Sequence, residues 1–309
     1  MIPNLALYVV LRIAAWALPL IPVSVAHSLS DSAGKLAFLL FSRPRRAVLE
    51  NLAVVMETSP NDRKLRPLAV EAFRTDAKNW IDTLRIRRTT GAEIEAQVEI
   101  DHWDRLAEAV SRGKGVVLAT MHLGNYDMVG QVLAQRGYRM IVPVERMQPQ
   151  ALFDFLVDLR TSKGVRVVPL DQAPRELIRA LRAGEIVGLA ADRMIGGRGG
   201  LETRFFGRFT ALPRGPVSLA RRTGSTLLLG VGIRRGDDTF AAHVIGPIPI
   251  TRSENSESDD LQNIGRVVAE MEALIRRYPG QWLNFSPMWR RAGPAELAAT
   301  INHQTEEVL

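Results

Sequence analysis

The chain has 309 residues and a formal charge of +7, from 40 Lys and Arg against 33 Asp and Glu. It is long enough for one large α/β domain, and its basic balance suits an anionic partner: a membrane surface or a phosphorylated substrate, with nucleic acid as the rival. No cysteine occurs, which excludes disulfides, thiolate metal sites and a cysteine nucleophile. Only Lys35, Lys64, Lys78, Lys114 and Lys163 are lysines, and an arginine skew also follows genome composition, so charge alone does not choose the partner.

Leu5 to Val25 is almost wholly apolar, with Arg12 as its one charge and Trp16, Pro19 and Pro22 inside it. It lacks a basic leader and a small-residue cleavage signature, so a secretory signal is not expected. A bilayer span needs about 20 apolar residues. This run is borderline in length and interrupted, and it reads as a membrane-associating helix. Ala33 to Phe41 is apolar again and leads into Arg43-Pro44-Arg45-Arg46, a basic cluster suited to anionic headgroups. The alternative is a hydrophobic helix packed on the main domain beside a solvated basic turn, and the two readings are compatible. Residues 1–42 are therefore read as a hydrophobic membrane-associating extension and 43–309 as a single α/β domain.

From Arg45 to about Arg88, Val48, Leu52, Val55, Leu68, Ala72, Trp80, Ile81 and Leu84 recur at helical spacing. After Gly91 the pattern changes to short β-like runs at 98–100, 116–119, 140–144, 165–170, 186–190, 226–233 and 240–245. Helical patterns lie between many of them, at 103–110, 128–135, 151–159, 175–181 and 216–222. Strands alternating with helices predict a mainly parallel or mixed central sheet flanked by helices. Thr251 to Asp260 is polar and reads as a loop. Leu261 to Tyr278 reads as a closing helix stopped by Pro279-Gly280.

The chemistry-bearing segment is Thr120-Met121-His122-Leu123-Gly124-Asn125-Tyr126-Asp127, directly after the apolar run Gly115 to Ala119. A strand end in an α/β fold faces a crevice. Imidazole is the natural base near neutral pH, and a carboxylate can hold its tautomer. Gly124 and Asn125 are turn formers, which places Asp127 near a helix N-terminus and lets the loop fold it back toward His122. A hydrogen-bonded structural histidine is the alternative. His27, His102, His243 and His303 show no metal-ligand spacing, so no zinc site is expected. G-x-S-x-G, a Walker A loop and a strand-linked G-x-G-x-x-G are absent.

His122 to Asp127 resembles the H-x4-D/E motif of the glycerolipid acyltransferase superfamily. More narrowly, the chain is similar to the lipid A acyltransferase family, which includes lauroyl, myristoyl and phosphatidylinositol mannoside acyltransferases. Supporting blocks run in the family's order from about residue 43 to 290: Arg45-Arg46 with Asn51-Leu52; Ala191-Asp192-Arg193, then Glu202 to Gly207, then Pro213-Arg214-Gly215-Pro216; and Gln281-Trp282 to Trp289.

The resemblance implies direct acyl transfer from acyl-coenzyme A or an acyl-carrier protein to a sugar hydroxyl of a membrane glycolipid. No other cofactor, no metal and no nucleic acid are implied. His122 would be the base, with Asp127 holding its ring. Glu202, after the glycine-rich run Gly196 to Gly200, matches an acidic residue that relatives carry near the histidine; a solvated loop carboxylate is the alternative. Asp192 with Arg193 is the competing acidic site or an internal ion pair. Arg160 would bind a phosphate or carbonyl, or else form a helix-surface ion pair. Arg146 and Asn125 complete the expected substrate-binding set, and Phe205-Phe206 line an acyl tunnel or the core. The C-terminal block looks closer to the mannoside enzymes than to lipid A enzymes, whose aromatics are often followed by a basic run, so a phosphatidylinositol mannoside or similar glycolipid is the implied acceptor and a lauroyl- or myristoyl-type lipid A enzyme the alternative. The implied location is the cytoplasmic face of the inner or plasma membrane, held peripherally. Two rival functions share these residues: a non-catalytic lipid-binding protein and a thioesterase.

Overall fold

The computed structural model describes residues 2–194 and 200–289. The glycine-rich run at 196–199 and the residues after 289, which the sequence reading included in the domain, lie outside them. Four helices come first: α1 (Ile2–Ala17), α2 (Val23–Leu40), α3 (Ser42–Val55) and α4 (Leu65–Arg85). They are followed by α5 (Gly91–Gln97), β1 (Val98–Asp101), α6 (Trp103–Ser111), β2 (Val116–Thr120), α7 (Tyr126–Gln135), β3 (Met140–Val144) and α8 (Gln150–Thr161). Then come β4 (Arg166–Pro169), α9 (Ala173–Arg182), β5 (Ile186–Ala190), the pair β6 (Gly200–Phe205) and β7 (Arg208–Pro213), α10 (Gly215–Thr223), β8 (Thr226–Arg234), β9 (Phe240–Ile248) and α11 (Ser256–Arg277).

The seven runs expected as strands form one sheet in the order β1-β9-β8-β2-β5-β3-β4. Every neighbouring pair is parallel except β8 with β9. Alternation along β2 divides the core. Val117 and Ala119 pack with Leu177 and Leu181 of α9, Val217 of α10 and Met271 and Ile275 of α11. Val116 and Leu118 face the other way, onto Leu106 of α6 and Leu133 of α7. A strand buried on both faces has no polar positions to offer, which is why β2 reads as an unbroken apolar run. Each fully buried leucine contributes about 1.5–3 kcal/mol.

Two features depart from the sequence reading. The antiparallel hairpin β6–β7 falls where no strand was expected. Half of the polar stretch 251–260 is helical, because the Asn255 side chain accepts from Ser258 N and caps α11.

The N-terminal extension is anchored on the domain. Gly34 of α2 meets α4 so closely that a Cβ would lie 2.7 Å from Arg74 Cα, so only glycine allows that approach. Tyr8 and Arg12 of α1 pack on Phe155 of α8, at 6.2 Å and 5.6 Å from its ring. The same helices leave Leu5, Val10, Ile13, Trp16, Leu29, Leu36 and Leu40 exposed. Among the described residues no helix is long and apolar enough to cross a membrane. Within the basic cluster, Arg45 is occupied, donating to the carbonyls of Phe38 and Leu39 at the end of α2.

Candidate active site

β2 and β5 are parallel neighbours whose last paired residues are Thr120 and Ala190. The ladder runs one step further, Ala191 N donating to Thr120 O at 2.8 Å. Two residues past each strand stand His122 and Asp192. The His122 ring reaches Asp192 Oδ1 through Nδ1 at 2.8 Å, and its backbone N–H donates to Asp192 Oδ2 at 3.0 Å. Trp282 Nε1 donates to the same Oδ2 at 3.0 Å.

Asp192 is fully buried. Burial alone would push its carboxyl up, but the His122 ring and these hydrogen bonds outweigh it and hold the group below the usual carboxylate range. An ionised carboxylate accepts only, so Nδ1 donates to it, and Nε2 is the ring nitrogen that Asp192 leaves unengaged. The His122 side chain is 14% exposed, enough to meet a substrate.

The loop behind His122 is fastened from three directions. Leu283 N donates to His122 O at 2.6 Å, Gly124 N to Gln281 O at 2.9 Å, and Asn125 N to Gly232 O at 2.7 Å. Gly124 sits at φ +65°, and a Cβ there would be 1.9 Å from Gly232 O, so the position needs glycine. From α4, Asn79 Nδ2 donates to Gly124 O at 2.7 Å.

Several expected roles are corrected by this geometry. Asp127 does not hold the His122 ring. It lies in the first turn of α7, and both its oxygens accept from Arg160 of α8, at 3.2 and 3.0 Å. The loop turns the helix outward, so the residue five positions on faces α8 and not back along the strand. Arg160 accordingly makes an interhelical ion pair, and the adjacent Asp127 charge pushes its pKa up further. Asn125 is an N-cap: its side chain accepts from Met128 N and donates to Asp82 at 3.1 Å. Glu202 is exposed on β6, opposite Ala211, with no hydrogen bond or ion pair to the described residues. The acid at the histidine is Asp192, which the sequence offered as the competing acidic site and grouped with the substrate-binding residues. Arg146 is an exposed side chain paired with Asp171 at 3.3 Å.

Arg193 lines a cavity of about 430 Å³ with Glu145, Met194, Thr210, Asn284 and Ser286 among its other walls. His122 is not one of those walls, but Arg193 follows Asp192 and Asn284 follows Leu283. Asn51, from the N-terminal block, fixes that wall by donating to Asn284 O and Ser286 O at 3.0 and 2.9 Å. Phe205 is core, packed against Trp282 and Trp289 at ring distances of 6.0 Å.

Tyr126 meets the His122 ring edge-on at 5.3 Å. Burial and the Asp127 charge push its phenol up, so it stays protonated. No group of three or more metal-ligating side chains occurs among the described residues.

The sequence shows Trp282 only as part of an aromatic block and gives no sign of Asn79, whose amide braces the loop that carries His122. The usable signal for Asp192 is its offset from the end of β5, equal to that of His122 from β2. It becomes meaningful only once β2 and β5 are known to be neighbours.

A family model described as bacterial lipid A biosynthesis acyltransferase matches residues 2–291. A phosphatidylinositol mannoside acyltransferase of Mycobacterium tuberculosis (strain CDC 1551 / Oshkosh) is 34% identical over 230 residues, covering 72% of this chain and 70% of that protein. One of Mycolicibacterium smegmatis (strain ATCC 700084 / mc(2)155) is 30% identical over 244 residues, covering 77% of each chain. With an imidazole and a buried carboxylate joined at the end of its central strands, the chain belongs to the bacterial lipid A biosynthesis acyltransferase family.

Proposed function

We propose that this protein moves a fatty acyl chain from a thioester donor to a sugar hydroxyl of a membrane glycolipid, a phosphatidylinositol mannoside or a close relative. The observation that carries the reading is the His122–Asp192 contact at 2.8 Å, and the names of the relatives support the acceptor class. His122 Nε2 takes the proton of the hydroxyl as its oxygen attacks the thioester carbonyl. Asp192 stabilises the imidazolium that forms. Collapse of the tetrahedral intermediate breaks the carbon–sulfur bond, and the thiolate leaves with the proton held on Nε2. The chain has no cysteine and no serine elbow, which favours donor and acceptor bound together over an acyl-enzyme.

The exposed apolar faces of α1 and α2 support peripheral attachment to a membrane surface, where a lipid acceptor is reached from water. Coenzyme A and carrier protein are both acidic donors that suit the basic chain.

The test is purified full-length protein with palmitoyl-coenzyme A or palmitoyl-carrier protein and a detergent-dispersed phosphatidylinositol mannoside, with lipids read by mass spectrometry. Acyl-mannolipid that forms with wild type and not with His122→Ala supports the reading. Free fatty acid released at the same rate with and without acceptor would make the protein a thioesterase, and neither product would leave a lipid-binding role.

A further inference from the structure

α4 carries a carboxyl that the mechanism above does not use. Phe73, Asp76, Asn79 and Thr83 fall at spacings of three and four along this helix and form one stripe. Phe73 packs edge-on against Phe285 at 4.9 Å. One turn beyond Asp76, Asn79 binds Gly124 O at 2.7 Å. Thr83 lines a small cavity with Asp127 and Arg160. Asp76 is thus bracketed by contacts to residues 285 and 124, and the chain between them is the junction where Leu283 N meets His122 O. This stripe of α4 therefore runs alongside the junction that carries His122.

The carboxyl is partly buried yet makes no hydrogen bond and no ion pair with any described residue. Burial pushes it up to about 6, and the one other influence is the His122 ring, acting the opposite way. Asp82, two turns along the same helix, contrasts with it: that carboxylate bonds His27, Arg234 and Asn125. A carboxyl kept without a partner beside a catalytic base lowers stability, and such groups cluster at functional sites.

The chemistry of its missing partner follows from what reaches His122. A thioester carbonyl accepts hydrogen bonds and the phosphates of an acyl donor are anionic, so a carboxylate attracts neither. Sugar hydroxyls donate, and neighbouring hydroxyls suit the two oxygens of one carboxylate. We propose that Asp76 is an acceptor-binding residue, accepting a hydrogen bond from a sugar hydroxyl next to the one that His122 deprotonates. This rests on the acyl-transfer reading above for the identity of the acceptor.

The test compares wild type, Asp76→Ala and Asp76→Asn, all full-length, with palmitoyl-coenzyme A and phosphatidylinositol mannoside in detergent. The KM for acceptor should rise about ten- to a hundredfold in Asp76→Ala and less in Asp76→Asn. The KM for donor should stay within about twofold. Mannolipid binding to His122→Ala protein should weaken by the same factor when Asp76→Ala is added. An unchanged acceptor KM, or an equal rise in the donor KM, overturns the assignment and leaves acyl transfer standing. Mannolipid bound in an Asp76-dependent way but never acylated sinks the transfer reading and spares this one. If the lipid is neither bound nor acylated, both fall.

Discussion

His122 and Asp192 meet because each stands two residues beyond the end of one of two adjacent parallel strands, in register at Thr120 and Ala190. The pairing therefore belongs to the sheet and is independent of the local loop. Asp192→Asn keeps the size of the side chain but removes the charge that fixes the ring's tautomer and balances the imidazolium. Acyl transfer should fall by about a hundred- to ten-thousand-fold. His122→Ala should fall as far, and the double variant no further, since the two act as one unit. Initial rates on detergent-dispersed acceptor check this, and additive losses would separate the two residues.

Asp127 and Arg160 join α7 to α8 with partly buried side chains. Asp127→Ala should cost about 1–3 kcal/mol by leaving the guanidinium without its partner. The pH dependence of the remaining activity should keep its midpoint, because the base is oriented by Asp192. Denaturant midpoints and a rate profile from about pH 5 to 9 measure the two effects. A midpoint moved by about a unit would return Asp127 to the chemistry.

Asp76 has a folded pKa of about 6, raised from its ordinary 3.8 by burial. The folded state thus holds a proton that the unfolded state releases between these values. The resulting stability is complete below about pH 4 and is lost as pH rises through about 6. Asp76→Asn stays neutral throughout, so it should match wild type near about pH 3 and exceed it at about pH 8, by at most about 3 kcal/mol. Urea unfolding at the two pH values decides it. Equal midpoints at the higher pH would mean that the carboxyl is solvated.

His27 is buried in α2, with Nε2 2.9 Å from Asp82 Oδ1 and Nδ1 3.3 Å from Asp238 Oδ2. Arg234 also bonds Asp82, and Asp82 bonds the α7 cap Asn125. One cluster therefore ties the N-terminal helices to the loop that presents His122. His27→Ala should cost about 1–3 kcal/mol and speed proteolysis within α2. Unchanged melting and proteolysis would show that the ring contributes nothing to the anchor.

Membrane attachment is tested by point variants, since removing residues 1–42 would strip α2 from α4 and expose buried Phe73. Ile13→Lys with Trp16→Ser alters two exposed positions of α1. Sedimentation with anionic vesicles should drop about tenfold or more, with turnover on detergent-dispersed acceptor preserved. Unaltered sedimentation would place the contact elsewhere on the protein.

Sequence pattern alone determined the alternation of strands and helices, the apolar N-terminal helices and the histidine at the end of β2. Each is written in the spacing of neighbouring residues, where backbone geometry makes period and burial coincide. The hairpin β6–β7 escaped because its exposed, charged strands lack that apolar signal. Which acid serves the histidine was decided only by the tertiary structure. Asp127 lies five residues away yet faces α8, while Asp192 lies 70 residues away and is brought within hydrogen-bonding distance because β5 pairs with β2. Strand order is set by packing over the whole chain, and no local pattern encodes it.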